Sequence, residues 1–215
     1  MKLPNKTLER NLFKSGYRLI YAVDEVGMGC LAGPVVVCAV AITNAFYNKH
    51  HKKLHWIRDS KLLQIKQREI FSAELLKEKD LVYALSYCYP KTIDKLNIYN
   101  AARFAMRRAV AKLTPSVQSL VLNIKSIVLV DGKYKIKDLK MEQLAIVKGD
   151  RKVFAIACAS IIAKVYRDKM MCRYAKRYPG YGFEKHKGYG TEYHRAQLTS
   201  LGPSQIHRKS FRLFY

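Results

Sequence analysis

The segment that most constrains this chain is an apolar run, Leu19 to Val23, that ends directly in two adjacent carboxylates. Those carboxylates belong to Asp24 and Glu25, and two glycines, Gly27 and Gly29, follow them. Like charges side by side at the end of a buried strand repel each other, and a cation offsets that repulsion. Carboxylate oxygens are the ligands that Mg²⁺ prefers, and glycines let a bulky ligand approach the backbone. The segment therefore predicts a buried strand whose carboxyl end holds a divalent cation.

The charge balance indicates a polyanionic partner. The 215 residues include 40 Lys and Arg against 16 Asp and Glu, which gives a formal net charge of +24. Such an excess favours nucleic acid or an anionic membrane, and the alternative is a basic surface without a dedicated partner. No apolar run approaches the ~20 residues of a membrane span. With 49% hydrophobic residues, the chain is globular and long enough to bury one good-sized core. Nucleic acid is therefore the favoured partner, and no membrane association is expected.

Cysteine usage and the N-terminus predict the compartment. The five cysteines form no C-x-x-C pair, and most lie within apolar runs. They are expected to be buried free thiols in a reducing compartment. Residues 1–16 are polar and basic, without the apolar core of a secretory signal. These features together predict a cytoplasmic protein.

Apolar, β-branched runs alternate with helical patterns along the chain. The predicted strands are 19–23 and 35–42, joined as a hairpin, then 81–89, 127–130 and 144–147. The predicted helices are 62–77 (with Asp59 or Ser60 as N-cap), 98–113, 153–174 and 192–200. The second of these is expected to end before Thr114-Pro115, because a residue that precedes proline disfavours the helical conformation. The basic tail 204–215 is expected to be mobile. This order predicts a mixed α/β fold with helices packed on a sheet.

Two further acids follow predicted strands, Asp131 after 127–130 and Asp150 after 144–147. Taken alone, Asp131-Gly132 is typical of an ordinary turn, and Asp150 is typical of a helix N-cap. In open sheets, however, ligands lie outside the carboxyl ends of the strands, where these acids can join Asp24 and Glu25. Cleaving a phosphodiester with two Mg²⁺ ions needs roughly this many carboxylates. Zinc spacing, a P-loop and G-x-S-x-G are all absent, and the histidines form no ligand pattern.

A second cluster combines aromatic, basic and glycine residues between positions 178 and 191. Aromatic rings beside basic groups suit stacking on a sugar or base next to phosphate contacts. The same composition also suits a glycine-rich surface loop whose aromatic side chains pack on the core. From the residues alone, both interpretations stay open.

The chain resembles ribonuclease HII, the type 2 ribonuclease H family, from about Tyr21 to Phe211. Several segments carry the resemblance in order: Val23-Asp24-Glu25-Val26-Gly27-Met28-Gly29, Leu31-Ala32-Gly33-Pro34-Val35-Val36, Asp59-Ser60-Lys61, Val130-Asp131-Gly132, Lys148-Gly149-Asp150, Ala159 to Asp168, His186-Lys187-Gly188-Tyr189-Gly190-Thr191, Leu201-Gly202-Pro203-Ser204 and His207-Arg208. The resemblance implies a ribonuclease H-like mixed five-stranded sheet flanked by helices, with a small helical C-terminal part. It also implies an endonuclease that cuts the RNA strand of RNA–DNA hybrids. Such an enzyme also incises 5′ of single ribonucleotides in duplex DNA, as in ribonucleotide excision repair, and leaves 3′-hydroxyl and 5′-phosphate ends.

The resemblance also assigns roles to residues. It implies a two-metal Mg²⁺ or Mn²⁺ site with Asp24, Glu25 and Asp131 as metal ligands and Asp150 as the fourth catalytic acid. The backbone of Gly27, Met28 and Gly29 would contact the ribose 2′-hydroxyl. Tyr189 would stack on the sugar of the next deoxynucleotide. Lys61 and Lys187 are expected to contact phosphates, whereas Asp168 is expected to pair with Arg167 beside it.

Two positions depart from the family pattern. Met28 stands where the family has arginine, and it cannot donate to a phosphate. Cys30 stands where proline is common. These departures concern recognition of the RNA–DNA junction, and they leave open a rival interpretation, a non-catalytic basic nucleic-acid-binding protein on the same fold. Along the chain we expect a basic extension (1–18), a catalytic domain (19–177) and a substrate-contacting C-terminal segment (178–215) within one compact, monomeric unit.

Overall fold

The computed structural model of the protein describes residues 7–52, 63–118 and 124–214. Within these ranges the strands are β1 Leu19–Val26, β2 Val35–Thr43, β3 Val82–Cys88, β4 Ser126–Asp131 and β5 Gln143–Ile146. The helices are α1 Thr7–Lys14, α2 Asn44–His50, α3 Ile65–Lys77, α4 Pro90–Leu96, α5 Ile98–Gln118, α6 Gly149–Lys152, α7 Phe154–Arg177, α8 Phe183–His186 and α9 Glu192–Leu201.

The strands form one five-stranded mixed sheet in the order β3-β2-β1-β4-β5. β1 pairs antiparallel with β2, as the predicted hairpin requires, and β2 also pairs antiparallel with β3. β4 lies parallel to β1 on one side and parallel to β5 on the other. In the β1–β4 ladder, Val23 is the register partner of Val130. The carboxyl ends of β1, β4 and β5 therefore meet at one edge of the sheet.

Side-chain alternation in β1 separates two cores. Leu19, Tyr21 and Val23 pack with α5 on one face of the sheet. Ile20 and Ala22 pack with α7 on the other face. Because successive strand residues point to opposite faces, a sheet that is buried on both faces needs both sets to be apolar. Helices thus cover both faces, and the predicted mixed five-stranded architecture is confirmed.

Helix α7 is the central helix of the fold. Its first ten residues, from Phe154 to Ala163, are all buried. A helix that is apolar all round is stable only inside a core, and this one lies against β1 and β2. Its position brings Ser160 and Lys164 to the sheet edge where the strands end.

Helix α5 extends beyond its predicted end. It continues through Thr114 and Pro115 to Gln118, so the expected stop at Leu113 is wrong. Buried Leu113 anchors this turn, and the Thr114 hydroxyl donates to the Val110 carbonyl at 3.0 Å. Pro115 removes one backbone donor, but the carbonyl affected is that of Ala111, an exposed residue that water can reach.

Two other helix starts differ from expectation. Helix α3 begins at Ile65 with Gln64 as its N-cap, where Gln64 and Gln67 form a reciprocal capping box. The predicted caps Asp59 and Ser60 lie outside the described residues. Pro90 follows strand β3 as expected but also opens helix α4, because its fixed φ suits the first helical turn.

The C-terminal tail is anchored, contrary to the expected mobility. Arg208 is fully buried, Leu213 is buried, and the Ser210 backbone N–H donates to Asp94 at 2.9 Å. The tail packs with α8 and α9 in a small third cluster beside Leu31 and Ala32. It therefore supports the loop that follows β1.

No helix within the described ranges is both long and apolar enough to cross a membrane.

The cysteines match their expected state in part. All five are free; four are buried, and Cys172 is exposed.

The N-terminal helix α1 docks on the domain through a buried acid. Glu9 is fully buried, and its Oε1 accepts from the Ala155 backbone N–H at 3.1 Å, at the start of α7. Its Oε2 has no hydrogen-bond partner among the described residues. Burial raises the pKa of Glu9 to about 7, against the lowering effect of its backbone hydrogen bonds.

Replacing Glu9 with glutamine should remove a pH dependence from folding. A folded pKa above the unfolded value means that the folded chain holds the proton more tightly. This contribution is complete below pH 4.5 and is lost as pH rises through about 7. We expect Glu9→Gln to raise the free energy of unfolding at pH 8 by roughly 2–3 kcal/mol, with little change at pH 5. Denaturant unfolding at both pH values measures this. Glu69→Gln, at an exposed site, is the control; equal effects at both pH values would contradict the prediction.

Candidate active site

The acids lie at the ends of neighbouring strands because of strand register. Val23 and Val130 are partners in the parallel β1–β4 ladder, and Asp24 and Asp131 are the next residue of each strand. Neighbouring strands lie about 4.8 Å apart, so residues in register on one face are close. Asp24 takes the place that the next apolar residue would occupy on the α7 face of β1. The two aspartates therefore interrupt the core at the sheet edge.

Asp24 is buried, with 4% of its surface exposed. Its Oδ1 accepts from the Glu25 backbone N–H at 2.7 Å. Burial raises the pKa of Asp24 well above its ordinary value, and the nearby charges of Glu25, Asp131 and Asp150 raise it further. A hydrogen bond from Ser160 acts in the opposite direction. All four acids thus interact electrostatically at one place, where positive charge would be favourable.

Asp131 and Asp150 are held by the connection after β5. Asp131 Oδ1 accepts from the Gly149 backbone N–H at 2.6 Å. A Cβ at Gly149 would lie 2.6 Å from the Ile156 side chain and 3.1 Å from Asp131 Oδ1, so a side chain there would press on both. Asp150 lies in the first turn of α6, whereas the N-cap of α7 is Val153. The alternative role of Asp150 as the N-cap of the long helix is therefore wrong.

One cavity of about 470 Å³ is lined by the four acids and by the residues predicted to contact the ribose and its neighbour. Its walls include Asp24, Glu25, Asp131 and Asp150 together with Gly27, Met28, Gly29 and Tyr189. Within residues 7–52, 63–118 and 124–214, no three His, Cys, Asp or Glu side chains are grouped closely enough to hold a metal ion as they stand. The donor set is nonetheless all carboxylate oxygen, which suits Mg²⁺ or Mn²⁺.

The glycine loop after β1 is held by two fully buried arginines. Arg208 donates to the carbonyls of Gly27 at 2.7 Å, Met28 at 2.9 Å and Gly33 at 3.0 Å. Arg167 donates to the carbonyls of Pro34, Ala32 and Lys187 at 2.9, 3.1 and 2.9 Å. Burial lowers the pKa of Arg208 to about 10, so the guanidinium stays charged at neutral pH. The two side chains tie the loop to the segment around Tyr189.

The two loop glycines lack a side chain for different structural reasons. Gly27 has φ +94°, and a Cβ there would collide with the Arg167 guanidinium, so its lack of a side chain is a packing requirement. Gly29 is exposed, and a Cβ there would meet no atom within 4 Å. Gly29 borders the open cavity, where a missing side chain leaves room for a ligand.

Tyr189 forms part of the wall of the acidic cavity. It is half-buried, and its backbone forms an isolated bridge with Cys30. Its carbonyl lies 2.8 Å from His194 Nδ1, and His194 Nε2 lies 3.0 Å from His207 Nε2. Burial raises the pKa of Tyr189 to about 12, so the hydroxyl is neutral. His194 therefore binds the backbone at Tyr189, and His207 in turn contacts His194.

Sequence reasoning missed three cavity residues: Arg68, Ser160 and Lys164. Ser160, Lys164 and Asp168 are spaced four residues apart on α7, and this spacing puts them on one helix face. That spacing could have predicted Ser160 and Lys164 as cavity residues, whereas no such pattern marks Arg68 on α3. Asp168 does not pair with Arg167 as expected; it accepts from Lys164 Nζ at 2.8 Å and lies 3.9 Å from Arg68. Arg167 is turned into the loop instead.

The remaining predicted contacts are placed differently. Lys187 does not line the acidic cavity; its ammonium donates to the Glu184 carbonyl and lies 3.3 Å from Cys172 Sγ. Lys61 lies outside the described residues. Met28 lies between the acidic cavity and a neighbouring groove, partly packed on the α5 core.

Comparisons with known proteins agree with this architecture. The Ribonuclease HII family model matches residues 22–214. Ribonuclease HII of Caldicellulosiruptor saccharolyticus is 47% identical over 204 residues, 95% of this chain and 92% of that protein. The crystal structure of ribonuclease H2 from Pyrococcus horikoshii superposes with a TM-score of 0.66 at 25% identity, over 91% of this chain and 94% of that one. Bst-RNase HIII in complex with Mn²⁺ shares the fold, with a TM-score of 0.67 at 17% identity over 92% and 68% of the chains.

The fold and the acidic edge of the sheet define an endonuclease of the ribonuclease H class. With the family model covering nearly the whole chain, the protein belongs to the ribonuclease HII family. It is a hydrolytic endoribonuclease that acts on RNA–DNA hybrids. The rival interpretation, a non-catalytic basic binding protein, is not favoured.

Proposed function

We propose that this enzyme cuts the substrate strand 5′ of a ribonucleotide, also where that ribonucleotide is embedded in duplex DNA, and leaves 3′-hydroxyl and 5′-phosphate ends. The observation that carries the proposal is that one cavity is lined by the four carboxylates, the Gly27–Gly29 backbone and Tyr189. Carboxylates suit the reacting phosphate only with cations between them, while exposed backbone and an aromatic ring suit a ribose.

Asp24, Glu25, Asp131 and Asp150 would hold the cations, Mg²⁺ or Mn²⁺, as a two-metal site. When bound, the cations would stabilise the charge that develops on the attacking water, the phosphoryl oxygens and the leaving 3′-oxygen. The raised pKa of Asp24 supports this assignment, because burial and three neighbouring carboxylates leave the site short of positive charge. The Gly149 backbone N–H orients Asp131 through its hydrogen bond, and Ser160 orients Asp24 in the same way.

Recognition of the junction is assigned to the loop and to Tyr189, which would stack on the sugar of the next deoxynucleotide, 3′ of the ribonucleotide. The Gly27 and Gly29 backbone would contact the ribose 2′-hydroxyl, the group that distinguishes RNA from DNA. Met28 cannot donate to a phosphate, so anchoring there is weaker than with the family arginine by roughly 1–3 kcal/mol. The net charge of +24 offsets part of that loss without specificity. We further propose a monomer that works in the cytoplasm in ribonucleotide excision repair.

A cleavage assay tests the proposed function. Two duplexes, one an RNA–DNA hybrid and one with a single ribonucleotide in DNA, are incubated with Mg²⁺, Mn²⁺ or a chelator. We expect cleavage of both duplexes with either cation, a cut 5′ of the ribonucleotide, and none with the chelator. Cleavage of the hybrid alone would refute the proposed junction activity, and cleavage in the chelator would refute the metal site.

Tyr189→Ala should impair the single-ribonucleotide substrate most. The hybrid offers many ribonucleotides and can be bound without an RNA–DNA junction. A single embedded ribonucleotide is recognised only together with the deoxynucleotide beside it, which Tyr189 would contact. We expect kcat/KM on the single-ribonucleotide duplex to fall by about 10–100-fold, the scale of one lost base or sugar stacking contact, and by much less on the hybrid. Tyr193→Ala, at an exposed tyrosine four residues on, is the matched control. Equal losses on both substrates would contradict a junction-reading role.

A further inference from the structure

A second groove continues the acidic cavity on the side away from Tyr189. It encloses about 390 Å³ and shares Glu25, Met28 and Asp131 with the acidic cavity. Its other walls come from the first turns of α5 and from the turn after β4, whereas Tyr189 is not part of it. The acids therefore lie between Tyr189 and this groove, so a strand bound at Tyr189 and at the acids extends toward it.

Two tyrosines flank the groove with unusual exposure. Tyr99 and Tyr134 each expose 65% of their surface, although aromatic side chains normally bury theirs. Ala102 and Met106 of α5, which are 3% and 5% exposed, add apolar surface to the same groove. Exposed rings beside such apolar surface offer flat faces to a ligand.

The groove carries negative charge at one end and positive charge on its outer wall. Its inner end carries the carboxylates Glu25 and Asp131, and its outer wall carries the cations Arg103 and Lys133. The Arg103 guanidinium lies over the Tyr134 ring, with Cζ 4.9 Å from the ring centroid. A guanidinium stacked on an aromatic ring keeps its donors at the edge, available to phosphate oxygens. Aromatic faces alternating with basic groups are typical of a surface that follows a nucleic-acid backbone.

We propose that this groove binds the sugar–phosphate backbone of the substrate strand on the 5′ side of the cut. Arg103 and Lys133 contact its phosphates, and Tyr99 and Tyr134 pack against its sugars. The proposal rests on the proposed function, which places the deoxynucleotide 3′ of the ribonucleotide at Tyr189. Met28 forms part of the wall between the two sites, so an apolar contact there replaces a charged one.

The test combines protein variants with substrates in which one phosphate is neutralised. Duplexes with a single ribonucleotide carry one methylphosphonate at each of the first four positions 5′ of the cut or at the matching 3′ positions. In the wild type we expect at least one 5′ substitution to lower kcat/KM by about tenfold, the scale of a charged hydrogen bond. In Arg103→Gln/Lys133→Gln, which loses the same contact, that substitution should cost less than about twofold. Lys77→Gln, at an exposed lysine at the end of α3, is the charge control.

The tyrosines are tested in the same assay. Tyr99→Ala/Tyr134→Ala should lower kcat/KM by about tenfold or more, whereas Tyr83→Ala, at a 41% exposed tyrosine on β3 outside the groove, should not. Thermal melting confirms that each variant is folded; if the double charge variant melts lower, Lys133→Gln alone serves for the cycle. Coupling to 3′ phosphates only, or equal losses at every position, would overturn the groove assignment. If the wild type cleaves no duplex with either cation, the proposed function itself fails, which is a separate result.

Discussion

Asp131→Asn is expected to abolish metal-dependent cleavage while leaving the fold and substrate binding intact. Asparagine has the same shape, and its Oδ1 can still accept from the Gly149 backbone N–H, which Asp131 does at 2.6 Å. The variant loses one negative charge from the set that would hold the cations, so transition-state stabilisation falls by several kcal/mol. We expect kcat to fall by on the order of 10³-fold or more.

The matched control for this variant is Asp138→Asn. Asp138 lies in the same connection after β4, but its side chain is 61% exposed and forms a surface ion pair with Arg107 at 3.2 Å. That variant should cleave at the wild-type rate, because an exposed pair contributes little. Single-turnover cleavage in Mg²⁺ and hybrid binding measured by anisotropy give the two readouts. Asp131→Asn with near wild-type cleavage would remove Asp131 from the metal site.

Arg208→Met should cost stability and junction cleavage together. Methionine fills similar space but leaves the carbonyls of Gly27, Met28 and Gly33 without the donors that now lie 2.7–3.0 Å away. Buried carbonyls without partners cost about 1–3 kcal/mol each. The Gly27 carbonyl keeps the Cys30 backbone N–H at 3.5 Å and Met28 is half-buried, so we expect a loss of about 4 kcal/mol in total, toward the lower end of the sum for three carbonyls. At this chain length that corresponds to a fall in Tm of roughly 10 °C.

The same variant separates packing from recognition. Below its melting temperature, we expect Arg208→Met to lose more activity on the single-ribonucleotide duplex than on the hybrid, because the freed loop is the part that we propose to contact the ribose. Arg212→Met changes an exposed arginine four residues on and should alter neither Tm nor cleavage. An unchanged Tm for Arg208→Met would show that the loop carbonyls find other partners and that the buried arginine does not hold the loop.

The pattern of residues within one segment predicted the structure correctly where the conformation of that segment depends mainly on its own residues. The continuous apolar run of β1 predicts a buried strand, and the acids that end β1 and β4 are visible as breaks in apolar runs. The same local rules failed at Pro115, where a buried Leu113 and neighbouring contacts outweigh the proline preference. They also failed in the tail, where basic composition predicted mobility but Arg208 is buried among loop carbonyls.

Side-chain identity and order along the chain were therefore enough for the strands and for a pair of carboxylates at the end of one of them, and the resemblance to a family added Asp131 and Asp150 to the predicted site. Contacts between segments that lie far apart in the sequence could not be predicted in this way. The bond from Arg208 to Gly27 joins residues 181 positions apart, and Asp168 turns to Lys164 and Arg68 although Arg167 precedes it. Buried donors bind whichever carbonyls the packed elements bring within hydrogen-bond distance. Because that choice depends on how helices and loops meet in space, no spacing within a single segment contains it.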